Sequence, residues 1–150
     1  VNQTGHHITA AAMAAAGAAL SLPDWGFLHI TIGVIAIMAG ASAPDWLEGF
    51  GPIRVLPHRT FTHIPWVWTM IFMAGASQMH TLMGVAIMGF SASALLHLLM
   101  DAMSPMGIPL WLPFQKRKSL HAYKVGNVSE AITIFLTSGL FAGVAIAAFL

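Results

Sequence analysis

The sequence predicts an all-α polytopic membrane bundle of about five transmembrane helices, with two polar loops on the cytoplasmic side. Three observations predict it. Hydrophobic residues make up 57% of the 150 positions. Asp, Glu, Lys and Arg together make up 7%, against about 25% in an ordinary soluble domain. That is too few to clothe a water-facing surface. Finally, apolar segments near the length of a membrane span, about 20 residues, recur five times between turns rich in Pro and Gly. The length suits one domain, residues 1–150.

The first segment, 8–22, is Ala-rich and short. The second, 27–43, reaches spanning length, as do the fourth, about 81–100, and the fifth, 131–150. The third, 64–79, is short and opens with Trp66 and Trp68, which fit an interfacial aromatic belt. Short segments tilt little, thin the bilayer or sit inside the bundle. Gly75, Gly84, Gly89, Ser91 and Ser93 are small enough to let helix backbones approach closely. A tight turn at 23–26 and two longer polar loops, 44–63 and 102–128, connect the segments; Pro105, Pro109 and Pro113 break the last of these.

Five spans place the N-terminus and both long loops on one side. All six basic residues fall there: Arg54, Arg59, Lys116, Arg117, Lys118 and Lys124. The positive-inside rule makes that side cytoplasmic. Asp45, Glu48, Asp101 and Glu130 fall there too, with His6, His7, His58, His63, His97 and His121. Only Asp24, His29 and His80 are left for the far side. Nearly all the polar chemistry is gathered at one end.

The chain has no cysteine, which excludes disulfides and thiolate ligands, so a metal must be held by His, Asp and Glu. No basic cluster is large enough for direct nucleic-acid binding. VNQTGHH at the start carries no basic region of a signal peptide.

Within that end, His97 and Asp101 are four apart and share a helix face. The pair suits either one metal ion or a carboxylate orienting an imidazole. The hexapeptide HRTFTH, 58–63, adds two imidazoles about 140° apart on an ideal helix. They need a turn, or they serve different ions. Arg59 between them suits an anion such as phosphate, or simply obeys positive-inside. APDW with Glu48 supplies carboxylates, though Asp45 also suits a turn. GHH at 5–7 offers His6 and His7. Glu130 opens the last helix, where an acid is ordinary. His121 lies in QKRKSLHAYK, a stretch suited to anionic lipid headgroups. There is no H-E-x-x-H, and Ser91 in GFSAS reads as a small packing residue.

GH at 5–6, PD at 44–45, HRTFTH at 58–63, HLLMDAMSPMGIPLWLPF at 97–114 and GN with Glu130 together resemble the YdjM-like inner-membrane metal-dependent hydrolases. Members of that family are described as hydrolases and as LexA-binding membrane proteins. The family in turn is similar to zinc-dependent phospholipases C, which are helical and bind clustered zinc. The resemblance implies His6, Asp45, His58 or His63, His97, Asp101 and Glu130 as ligands. The phospholipases' further histidines correspond to Gly107 and Gly126, and the second acid of their P-D-x-D to Leu47, beside Glu48. One or two ions are therefore implied rather than three.

The expected function is a metal-dependent hydrolase of the bacterial inner membrane, with a metal-activated water attacking a phosphoester, favourably that of a phospholipid headgroup. His97 and Asp101 are the core ligands, with His63 and Asp45 completing the site and His6 or His58 serving a second ion. Asp45 or Glu48 is the general base, and Arg59 holds a phosphate oxygen. Zinc suits this donor set; manganese and magnesium are the alternatives. Two other readings stand beside it. One is a non-catalytic metal-binding membrane protein that meets a cytoplasmic regulatory partner through QKRKSLHAYK. The other is a small transporter with an intramembrane His and Asp relay.

Overall fold

The computed structural model describes residues 1–50, 53–54 and 57–150. Side chains at 50, 53 and 54 lie outside the description, so Arg54, one of the six basic residues of the topology argument, is not placed.

Helix α1, Gln3–Ser21, starts where the Asn2 side chain accepts the Gly5 N–H at 2.8 Å, covering one of the donors a helix start leaves unpaired. After the 23–26 turn comes α2, Phe27–Gly40. A one-turn helix follows, α3, Ala43–Trp46, with Pro44 in its first turn. Strands β1, Gly49–Phe50, and β2, Ile53–Arg54, form a minimal antiparallel ladder. HRTFTH then closes in a 3₁₀ turn, Phe61–His63. Pro65 opens α4, Pro65–Ala76. Helix α5, Leu82–Met103, is capped by Thr81, whose hydroxyl accepts the Gly84 N–H at 3.0 Å. Asn127 precedes α6, Val128–Ala147.

Helix α5 is the axis. It packs along α2 on one side and α4 on another, while α1 bridges α2 and α6. Close approach depends on glycine. A Cβ on Gly40 would collide with the Phe90 carbonyl of α5, and one on Gly75 would meet the Met88 backbone. Between these helices Ala43, Trp68, Ala94, Leu98 and Ile108 form one buried cluster, and Ala10, Ala14, Ile37 and Ala41 another.

Among the described residues, two helices are long and apolar enough to cross a membrane, α5 with 22 residues and α6 with 20. At 1.5 Å per residue each reaches about 30 Å, matching the hydrocarbon thickness. Helices α2 and α4 are apolar but shorter, with 14 and 12 residues. The expected all-helical bundle is borne out, whereas among the described residues two helices, not five, have the length and apolarity of a full span. The second segment loses length because Pro44 starts a separate turn of helix, and the third because residues 77–80 turn away. Helix α6 settles what its outer face meets. Only 6% of its apolar stretch is buried, and Phe135, Leu136, Leu140 and Ile146 all point outward. An apolar face of that size suits hydrocarbon rather than water.

The glycine contacts give a test. Gly40→Ala should lower stability by about 1–3 kcal/mol through overpacking against backbone that cannot move aside. Gly143→Ala, where nothing lies within 4 Å of the added methyl, should change little. Steric-trap unfolding in bicelles measures both.

Candidate metal centre

Five parts of the chain meet at one end of the bundle: the start of α1, the α2–α3 junction, the hexapeptide, the end of α5 and the turn after it. His97 and Asp101 come from successive turns of α5. The Nδ1 of His97 lies 2.7 Å from the Ala41 carbonyl. A carbonyl only accepts, so Nδ1 carries the proton and Nε2 is left with its lone pair. His63 arrives from the 3₁₀ turn with Nδ1 3.0 Å from Glu48 Oε1. Its Nε2 therefore also faces inward.

The two inward nitrogens meet two carboxylates. His63 Nε2 is 3.5 Å from both Asp45 Oδ1 and Asp101 Oδ2. His97 Nε2 is 3.6 Å from Asp45 Oδ2 and 3.5 Å from Asp101 Oδ2. Both Nε2 atoms are buried and have no hydrogen-bond partner. Buried polar atoms are rarely left so. One ligand atom from each of the four side chains can be chosen so that all lie within 4.8 Å of one another, close enough to share one ion. Two carboxylates would balance a divalent charge. The residues fit a metal ion.

Glu48 organises the hexapeptide. Its buried carboxylate accepts the Arg59 N–H at 2.6 Å, the Thr62 hydroxyl at 2.8 Å and His63 Nδ1 at 3.0 Å on one oxygen, and His58 Nδ1 at 2.7 Å on the other. Burial would raise its pKa, but the hydrogen bonds from His58, His63 and Thr62 outweigh this and hold the carboxyl far below the usual range. With four donors on it, Glu48 suits positioning rather than the general-base role the sequence offered.

Arg59 is placed differently from expectation. It adopts a left-handed backbone, φ 57°, which costs a side-chain-bearing residue about 1–3 kcal/mol. That turn aims its N–H at Glu48 while its guanidinium enters the protein. Nη2 lies 2.7 Å from Asp101 Oδ1, and Nη1 donates to Ser104 Oγ at 3.2 Å and to the Gly107 carbonyl at 3.0 Å. Gly107 is itself left-handed, and a Cβ there would strike the Lys118 carbonyl. The guanidinium is engaged by the outer oxygen of Asp101, which corrects the phosphate-holding role expected of it.

The other candidates divide. His6 stacks on His97 with ring centroids 3.7 Å apart, and its Nε2 is 3.5 Å from Asp101 Oδ1. It flanks the four-residue cluster. His58 joins Asp45 and Glu48 in a second grouping that shares Asp45 with the first; its Nδ1 is 3.9 Å from Asp45. Glu130 stands apart. Its oxygens accept the N–H groups of Asn2 and Gly126 at 2.6 and 2.7 Å, so it ties the starts of α1 and α6 together. His7 bonds Ser42 at 2.9 Å. Sequence reading missed the support: the Ala41 carbonyl lies in no quoted motif, and Thr62 and Ser104, though inside the 58–63 and 97–114 stretches, were given no role.

The carboxylates concentrate negative potential on the cluster. Burial would lower the pKa of His63, but the carboxylates of Asp101, Asp45 and Glu48 outweigh it and push it up to about 10, so a metal ion bound there must displace a proton from His63. Burial would raise Asp45, yet His63 and His97 hold it below its ordinary value. Asp45 is also the open side. Its side chain is 42% exposed, whereas those of His63, His97 and Asp101 are at most 2% exposed.

Glu48→Gln should lower the affinity for a divalent metal ion about 10–100-fold, the usual effect of losing a group that orients a ligand. Ser91→Ala, which removes only bonds within α5, should leave it unchanged. Competition with a chromogenic chelator measures both. No curated protein and no solved structure matches the chain. The family model described as the YdjM inner membrane protein matches residues 2–150, which contain every side chain of this centre. The chain therefore belongs to the YdjM inner membrane protein family.

Proposed function

We propose that the protein is a metal-dependent hydrolase of the bacterial inner membrane that cleaves phosphoester bonds of lipid headgroups. One observation carries this reading: two buried, unpartnered imidazole nitrogens and two carboxylates clustered within ligand-sharing distance, with Asp45 the exposed member of the four. Closed four-protein-ligand sites are commonly structural, and an exchangeable position is the mark of catalysis. A half-exposed carboxylate at the entrance provides that position here.

Zinc is the favoured ion, given two imidazoles with two carboxylates, and manganese or magnesium also accept the oxygen donors. A divalent ion held there supplies Lewis-acid polarisation of the phosphoester and activation of water. The chain's own residues do the rest. His63, His97 and Asp101 hold the ion, oriented by Glu48, the Ala41 carbonyl and Arg59 respectively. Asp45 meets an entering water and accepts its proton. His58, fixed by Glu48 at the entrance, is the nearest imidazole to Asp45 outside the buried cluster.

Placement at the membrane supports the lipid substrate. All five longer helices are read as membrane-embedded, with α2 and α4 dipping short of full thickness. The described basic side chains, Arg59, Lys116, Arg117, Lys118 and Lys124, follow the site-bearing ends of the helices, and by the positive-inside rule that end is read as cytoplasmic.

Elemental analysis tests the reading. Purified wild type should carry zinc or another divalent metal in stoichiometric amount, and His97→Ala should lose it with helical content kept by circular dichroism. Asp45→Asn should abolish release of phosphorylated headgroups from a lipid panel. A metal-free wild type overturns the proposal.

A further inference from the structure

The turn after α5 has a construction that the metal centre does not use. Ile108 and Lys118 pair across it, each N–H donating to the other's carbonyl at 3.0 and 2.9 Å. The chain between them is thereby pinched into a protruding loop. Its tip is apolar and outward-facing: Trp111, Leu112 and Phe114 are 66%, 67% and 74% exposed. Immediately behind the tip Lys116, Arg117 and Lys118 are exposed as well.

The tip is not loose. The Phe114 ring stands edge-on to Phe61 of the hexapeptide at 5.5 Å. Trp66 Nε1 donates to the Trp111 carbonyl at 3.0 Å, and Arg117 Nη2 donates to the His58 carbonyl at 2.6 Å. Trp66 belongs to the first turn of α4, whose outward Met70 and Met73 face the apolar exterior. The loop tip therefore lies against the first turn of the apolar helix α4. Its stem bonds His58, whose Nδ1 is 3.9 Å from Asp45.

We infer that residues 108–118 form a docking element for an anionic phospholipid surface. Trp111, Leu112 and Phe114 enter the headgroup–acyl boundary, and Lys116 and Lys118 meet the lipid phosphates. An apolar tip followed by a basic stem matches that boundary in both layers. The contact of the tip with the first turn of apolar α4 favours a lipid surface over a protein partner. The inference does not depend on the metal reading, although it sets headgroups beside the open side of that centre.

The absence of native cysteine makes the test direct. A spin label on Leu112→Cys is read in nanodiscs of phosphatidylcholine, with and without phosphatidylglycerol. The label should be reached by oxygen and shielded from a water-soluble nickel chelate, more so with phosphatidylglycerol. Lys116→Gln with Lys118→Gln should weaken docking about fivefold per lysine. Arg117 is kept because it bonds the His58 carbonyl. A label equally open to the nickel chelate in both lipids overturns the inference and leaves the tip free for a protein partner. A label buried to the same depth in both lipids, and indifferent to the lysines, overturns the anionic preference. Zinc content of Leu112→Cys, measured alongside, separates either failure from failure of the metal centre.

Discussion

The carboxylate of Glu48 is the constraint on which the rest of the site depends. It is buried and, among the described residues, accepts from four donors of HRTFTH. An isolated carboxylate in such a place would be prohibitively costly. Here the hexapeptide wraps it, and the wrapping dictates the path of the chain. Arg59 must turn left-handed to present its N–H, and that turn sends its guanidinium to Asp101. His63 must present Nδ1, and that leaves Nε2 for the interior. One charge thus sets the posture of two side chains that address Asp101 from opposite sides.

Asp101 is correspondingly divided. One oxygen faces the imidazoles of His63 and His97, and the other faces Arg59 and His6. The acid is neutralised on its outer side before any ion is considered, and its inner oxygen is fixed in direction. Such charges are tolerated in an apolar chain because they lie at the helix ends and each is engaged. The same economy explains why α5 carries both a full apolar stretch and two metal-type side chains: the latter occupy only its last two turns.

Much of this was legible in the sequence, and the limits have physical causes. The His97–Asp101 spacing could be read because α-helical periodicity relates side chains four apart. Apolar segments could be counted, but their ends could not, since Pro44 and the 77–80 turn cut helices that hydropathy alone would continue. The choice between His58 and His63 stayed open because a 3₁₀ turn has a period that helix arithmetic does not supply. Glu48 in a loop reads as a solvated acid, and nothing local reveals that the chain folds around it. Glu130 was named through resemblance, yet its acceptors are spent on backbone N–H groups of Asn2 and Gly126, as its position in the first turn of a helix also allowed. Arg59 was misread because a sequence shows a charge but not which way the backbone turns it.

The placement of α6 bears on how the protein is made. That helix packs chiefly on α1, and the four clustered side chains all precede residue 102. During synthesis the cation cluster can therefore be assembled while the last third of the chain is still emerging from the ribosome. The final helix then arrives as a clasp, with Glu130 closing onto the backbone at Asn2 and joining the start of α6 to the start of α1.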